Sequence, residues 1–203
     1  VQTRPLGPLV DLLNLDPRIQ IAQPTYRYRT MQAAPAASAP LRQYALERLQ
    51  ADQANRIARG QGVRVAIIDT RIDATHPALA GRLAGVIDVI GPAGRELVDR
   101  DPGRHGTALA GIIAADGRLR GIAPSVQLLS VQAFMPDTGT PGSGTSTSDK
   151  IARAIDVAVE HGARVLNLSF AGPRDPIVGR MIRRSFDRGV VIVAAVGNDG
   201  LER

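Results

Sequence analysis

Residues 63–77 read VRVAIIDTRIDATHP, and the first half of that stretch decides the fold. From 63 to 68 apolar side chains follow one another with a single interruption, Arg64. A strand with one wet face alternates apolar and polar residues. A nearly continuous run is what a strand covered on both faces requires. Asp69 closes the run. A carboxylate there is costly to bury unless it is hydrogen-bonded or paired with a cation, so Asp69 is either a cap for the following turn or a working group.

The same short apolar type returns at 127–132 (QLLSVQ), 165–168 (VLNL) and 190–195 (VVIVAA). Between these runs, helices are expected at 106–115, 148–161 and 176–188. The last two end at His161-Gly162 and Arg188-Gly189, a basic residue before the glycine that a helix C-terminus favours. Strand alternating with helix predicts an α/β fold, a mainly parallel sheet with helices on both faces and right-handed crossovers. Ligands and reacting groups gather at the carboxyl ends of the strands in such sheets. Those ends carry Asp69, Ser169 and Gly197-Asn198.

His105 opens the apolar segment HGTALAGIIAA. A histidine in the first turn of a helix is poorly placed to carry positive charge, because the dipole there favours anions. A neutral imidazole suits a general base; the plain alternative is a satisfied surface histidine.

Composition narrows the classes of function. The chain has 203 residues, 44 % of them hydrophobic, enough for a sizeable core. No stretch approaches 18 consecutive apolar residues, so no membrane span is expected. The opening VQTRPLGPLV lacks the charged start, apolar centre and cleavage site of a signal peptide. The absence of cysteine excludes disulfides and thiol chemistry. The net charge of +6 raises the question of an acidic partner. However, Lys150 is the sole lysine among 25 basic residues, the arginines are dispersed, and aromatics are 3 %. Nucleic acid, which asks for basic patches and stacking platforms, is not an expected partner.

Residues 33–40, AAPAASAP, have nothing to bury and read as a linker. They separate a short segment, 1–32, from a main body, 41–203. In the first segment 9–15 has helical spacing, and 18–28 alternates like an edge strand, with Pro24 tolerable only there. So short a piece cannot build its own core. Residues 44–59 read as one or two helical turns ended by Gly60.

Taken in order, VAIIDTRID (65–73), HGTALAG (105–111), VLNLSFAGP (165–173) and VIVAAVGN (191–198) resemble the subtilisin-like serine proteases. The resemblance implies a subtilisin-like fold and a serine endopeptidase acting through an Asp-His-Ser triad. It gives Asp69 the role of the aspartate that orients the imidazole and stabilises its charged form, His105 that of the group that takes and returns the serine proton, and Asn198 that of oxyanion donor. It makes Ser169, Phe170, Ala171 and Gly172 the strand that binds extended peptide, with Gly142, Ser143 and Gly144 as the facing edge of the cleft. The segment LLNLDPRIQIAQPTYRYR resembles the end of such a protease's propeptide, an intramolecular inhibitor of a zymogen, with maturation cleavage in the linker. Protein or peptide substrate is the implied partner, and a secreted or periplasmic location follows from family habit.

The resemblance also fails in places. Its nucleophile motif, a Gly-Thr-Ser-x-Ala-like helix start after the oxyanion asparagine, is not found among these residues, which run to Arg203. The chain is therefore expected to be the N-terminal portion of a longer catalytic domain, inactive without its C-terminal part and exposing apolar surface where that part would pack. Gly144-Thr145-Ser146 precedes a helix but lies in the cleft-edge region, which argues against Ser146 as nucleophile. Arg71 stands where the family usually has glycine, setting a cation beside the carboxylate and crowding the turn. Ala171 in place of a common glycine predicts a narrowed S1 pocket. Residues 114–121 offer only Asp116 as a hard ligand where calcium wants six to eight oxygens, so no tight calcium site and no other cofactor are expected. Two rivals remain open: a non-catalytic relative that binds peptide or protein in the same cleft, and a basic module for acidic surfaces.

Overall fold

The structure, a computed structural model, describes residues 6–30, 43–91, 104–136 and 144–196. The linker at 33–40 and the predicted site residues Gly142, Ser143 and Asn198 lie outside the described residues.

A parallel sheet forms the centre. Its strands are β2 (Arg64–Asp69), β3 (Leu83–Asp88), β4 (Gln127–Gln132), β7 (Val165–Leu168) and β9 (Val191–Ala194), in the order β3-β4-β2-β7-β9. Every neighbouring pair runs parallel. The 63–69 run is the middle strand, and its continuous apolarity has a direct cause. Val65 and Ile67 face one core with Leu128, Ala110 and Ala114; Ala66 and Ile68 face the other with Leu129, Leu166, Ile151 and Ile155. Helix α4 (Arg104–Ala114) covers the first face, while α5 (Ser148–Glu160) and α6 (Pro176–Asp187) cover the second.

Helix starts and stops follow local chemistry. Asp175 caps α6 by accepting from the Ile177 and Val178 amides, with Pro176 in the first turn, where its missing N–H costs nothing. Gly162 and Gly189 follow α5 and α6 with φ of 76° each, the left-handed turn that glycine tolerates. Around 44–59 the chain forms two short helices, α2 (Tyr44–Arg48) and α3 (Ala51–Ile57). They are split at Gln50, a non-glycine residue at φ 50°.

A second, four-stranded sheet lies against this body in the order β5-β6-β1-β8. It consists of β5 (Met135–Pro136), β6 (Gly144–Thr147), β1 (Arg27–Thr30) and β8 (Phe170–Ala171). Here the sequence reading needs correction. Residues 18–28 do not form an edge strand: only Arg27–Thr30 is strand, and it lies between β6 and β8, antiparallel to both. Upstream of it, α1 (Gly7–Asn14) contributes no buried residue. Strand β3 was not expected at all. It is half-buried and irregular at Leu83/Gly85, so its apolar pattern is broken.

At the far edge of the central sheet Val191 and Val193 of β9 are 57 % and 51 % exposed, and Phe186 on α6 is 67 % exposed. Apolar surface is therefore open on that side.

Candidate active site

Asp69 ends the middle strand and is fully buried. Its main chain turns there because the Asp69 carbonyl accepts from the Ala133 and Phe134 amides, at 2.9 and 3.2 Å, tying the end of β2 to the end of β4. The side chain is held as firmly. Oδ1 accepts from the Thr70 amide at 2.7 Å and from the Thr70 hydroxyl at 3.1 Å. These contacts offset the cost of burying the group.

His105 comes from the first turn of α4, across the same strand end. Its Nδ1 stands 2.9 Å from both Asp69 carboxylate oxygens, and its side chain is 12 % exposed. An ionised carboxylate only accepts, so Nδ1 carries the hydrogen and Nε2 is the basic nitrogen of the neutral ring.

The approach of helix to strand depends on Gly106. A β-carbon there would lie 2.4 Å from the Thr70 carbonyl oxygen, and the Gly106 amide donates to the Thr70 hydroxyl at 3.0 Å. Thr107 adds a second clamp, its hydroxyl accepting from the Asp73 amide at 2.9 Å. The small residues after His105 are thus what lets the imidazole reach the carboxylate. Gly144 is similarly confined: a β-carbon would meet Thr70 Cγ2 at 2.9 Å and Phe134 Cβ at 3.0 Å. That contact brings the β6 edge down onto the turn that holds Asp69.

Of the other predicted site residues, Phe170 and Ala171 form β8, which Ser169 and Gly172 flank, and Gly144 begins β6. The space between these edges is bridged by β1: Tyr28 stands opposite Ser146, Arg29 opposite both Thr145 and Ala171, and Thr30 opposite Phe170. The sequence reading named both edges as a cleft for extended peptide; in this chain β1 lies between β6 and β8. Ser146 is buried and donates its hydroxyl to the Ala133 carbonyl at 2.6 Å, a strand residue tied to the core. A cleft of about 280 Å³ adjoins this sheet, lined in part by Leu168, Ala171, Val178, Ala194 and Val196.

Asp175 escaped the sequence reading. It is 8 % exposed and gathers Gln23, Tyr28 and Ser148 around one carboxylate. Burial alone would raise its carboxyl. The hydrogen bonds from Ser148, Gln23, Val178 and Tyr28 outweigh this and hold it below its ordinary value. The Asp-Pro pair was a signal for a helix cap, but nothing local announces the tyrosine.

Asp116 of the 114–121 loop is paired with Arg82. Among the described residues no group of three or more acidic or histidine side chains is placed to hold a metal ion, and no helix is long and apolar enough to cross a membrane.

The class these features define is a parallel α/β protein with a buried carboxylate–imidazole pair at its strand ends and a small antiparallel sheet in which β1 lies between β6 and β8. Residues 60–203 match the Subtilase family profile, and the chain belongs to that family. It is 35 % identical over 164 residues to thermitase of Thermoactinomyces vulgaris, covering 78 % of this chain and 56 % of that protein. To an alkaline protease of Shouchella clausii it is 37 % identical over 196 residues, 94 % of this chain and 47 % of the other. The major intracellular serine protease of Bacillus subtilis matches at 32 % over 155 residues, 70 % and 44 % of the two chains. The chain spans about half the length of the curated relatives it matches.

Proposed function

We propose that this chain carries the Asp–His half and much of the peptide-binding face of a serine endopeptidase. The observation that supports it is the pairing of His105 Nδ1 with both oxygens of the buried Asp69 at 2.9 Å. In this reading Asp69 fixes the imidazole and stabilises its charged form. His105 Nε2 takes the proton of a serine hydroxyl as the serine oxygen attacks the peptide carbonyl, then returns that proton to the leaving amine. Water hydrolyses the acyl-enzyme by the reverse use of the same base. Asn198 donates to the oxyanion, a contribution of about 2.7–4 kcal/mol for such donors. The serine is proposed to come from protein beyond Arg203, since Ser146 is committed to the Ala133 carbonyl.

Substrate is proposed to bind as an extended strand between Ser169–Gly172 and Gly142–Gly144, the slot that β1 fills. The N-terminal segment is accordingly the proposed intramolecular inhibitor, residues 1–32 and 41–203 being the inhibitory and catalytic portions. The proposed compartment is outside the cytoplasm, on family habit, although two relatives are named as intracellular; fractionating cells that express the full-length protein decides it.

The filled slot also favours a second reading, a non-catalytic peptide or protein-binding scaffold, because gripping a strand requires no nucleophile. Turnover of an internally quenched peptide by the full-length protein separates the two. Hydrolysis lost in His105→Ala supports the endopeptidase; peptide binding with no hydrolysis supports the scaffold.

A further inference from the structure

We infer that Asp175 makes the pocket beneath the β6–β8 slot selective for tyrosine, so that the strand bound best carries a tyrosine where Tyr28 now sits. The inference rests on the slot being a peptide-binding site, as proposed above. Within residues 6–30 only Tyr28 and Thr30 are buried; besides the short backbone ladder and these side chains, the segment is held by Gln23 on Asp175 and the Ile177 amide and by the Tyr26 amide on Ser148. Alternation along β1 turns Tyr28 and Thr30 inward and leaves Arg27 and Arg29 exposed. Any extended peptide in the same register would present one side chain to the place of Tyr28.

That place is built for an aromatic ring with a donor at its tip. Phe170 meets the Tyr28 ring edge-on, with centroids 5.6 Å apart at 84°. Gly172 forms a flat wall, since a β-carbon there would be 2.3 Å from two ring carbons. At the far end the Tyr28 hydroxyl donates to Asp175 Oδ2 at 2.7 Å.

The carboxylate does not depend on β1 for its position. Oδ1 accepts from the Ile177 and Val178 amides at 3.0 Å each, and Oδ2 accepts from the Ser148 hydroxyl at 2.6 Å. All three donors belong to α5 and α6. Withdrawal of the N-terminal segment removes the Gln23 and Tyr28 donors and leaves a carboxylate still fixed by Ile177, Val178 and Ser148 but short of two donors. A tyrosine supplies one. A phenylalanine fills the pocket but leaves that oxygen short of a donor, and a site built around a hydroxyl rejects the analogue lacking it.

The test uses the full chain carrying Tyr28→Ala, which weakens its own strand in the pocket. Fluorescence anisotropy compares a labelled peptide with the sequence of residues 23–30, QPTYRYRT, and its counterpart with phenylalanine in place of Tyr28. The tyrosine peptide is expected to bind about tenfold or more tightly, as hydrogen bonds to charged groups suggest. Adding Asp175→Asn should bring the ratio near one, since asparagine keeps an oxygen to cap α6 but loses the anionic acceptor. If Tyr28→Ala does not fold, Tyr28→Phe in the intact chain serves. Amide exchange at residues 27–30 should quicken by about the same factor, with little further change on adding Asp175→Asn. Equal affinities, a preference that survives Asp175→Asn, failure of both peptides to bind, or unchanged exchange would overturn the inference. None of these readouts needs hydrolysis, so the pocket and the endopeptidase stand or fall separately.

Discussion

The Tyr28 ring lies directly against the backbone of Gly172, so close that a β-carbon on Gly172 would stand 2.3 Å from ring atoms Cδ1 and Cε1. Strand β1 and the strand at 169–172 therefore fit as ring against bare backbone. Gly172→Ala is expected to push β1 outward at a cost of about 1–3 kcal/mol, the usual range for overpacking. Hydrogen exchange should register this as lost protection at residues 27–30, with β2 and β4 unchanged. Uniform loss across the molecule would mean that β1 is an integral part of the core.

The dyad supports two substitutions with different signatures. Asp69→Asn in the full-length protein should lower kcat by about 10⁴-fold, because an amide cannot hold the imidazole in the required tautomer, while the fold survives. Gly106→Ala acts through position: it forces α4 away from the Thr70 carbonyl and carries His105 with it. A displacement of about 1 Å in a reacting group can cost about 10²-fold, so a fall in kcat accompanied by a lower Tm is expected. Kinetics and thermal melting on the same samples check both.

Much of this arrangement was legible in the residues, and what was not has physical causes. The 63–69 run and its parallel neighbours declared themselves because a strand covered on both faces has no polar alternation to confuse. Asp69 stood out as a carboxylate at the end of such a strand. Strand β3 was invisible because an edge strand with Gly85 at an irregularity has neither a continuous nor an alternating pattern. Strand β1 could be suspected but not located: its partners Thr145 and Ala171 are more than a hundred residues away. Its burial depends on a slot formed by other segments. Asp175 was missed although an Asp before a proline can cap a helix, and its bond to the tyrosine needed the fold to bring Tyr28 across 147 positions.

Tyr28 and Asp175 should make docking of β1 depend on pH at both extremes. Burial pushes the Tyr28 phenol up, and the Asp175 carboxylate adds to it. A group with a raised folded value stabilises fully below its free value, 10.0 for tyrosine, and its contribution falls as pH rises beyond that. Asp175 is held below its free value of 3.8, so its contribution is present above pH 3.8 and fades as pH falls further. Amide exchange at residues 27–30, normalised to the core strands, should show retention between these limits and release beyond them. In phenolate absorbance Tyr28→Phe should remove the latest part of the alkaline titration. An unchanged titration curve would contradict the buried hydroxyl.

The 114–121 loop is expected to take no calcium tightly. Its Asp116 is already paired with Arg82, and a tightly bound ion would raise Tm by mass action. Melting in EDTA and in millimolar calcium should therefore agree within error. A rise of several degrees with calcium would contradict this expectation.

The most direct test of the endopeptidase reading is intact-mass analysis of the full-length protein after exposure to a fluorophosphonate, which marks only an activated serine. The account predicts one adduct, on a serine C-terminal to Arg203, formed rapidly by the parent protein and lost in His105→Ala. No adduct, an adduct that persists without His105, or one located on Ser146 would contradict it.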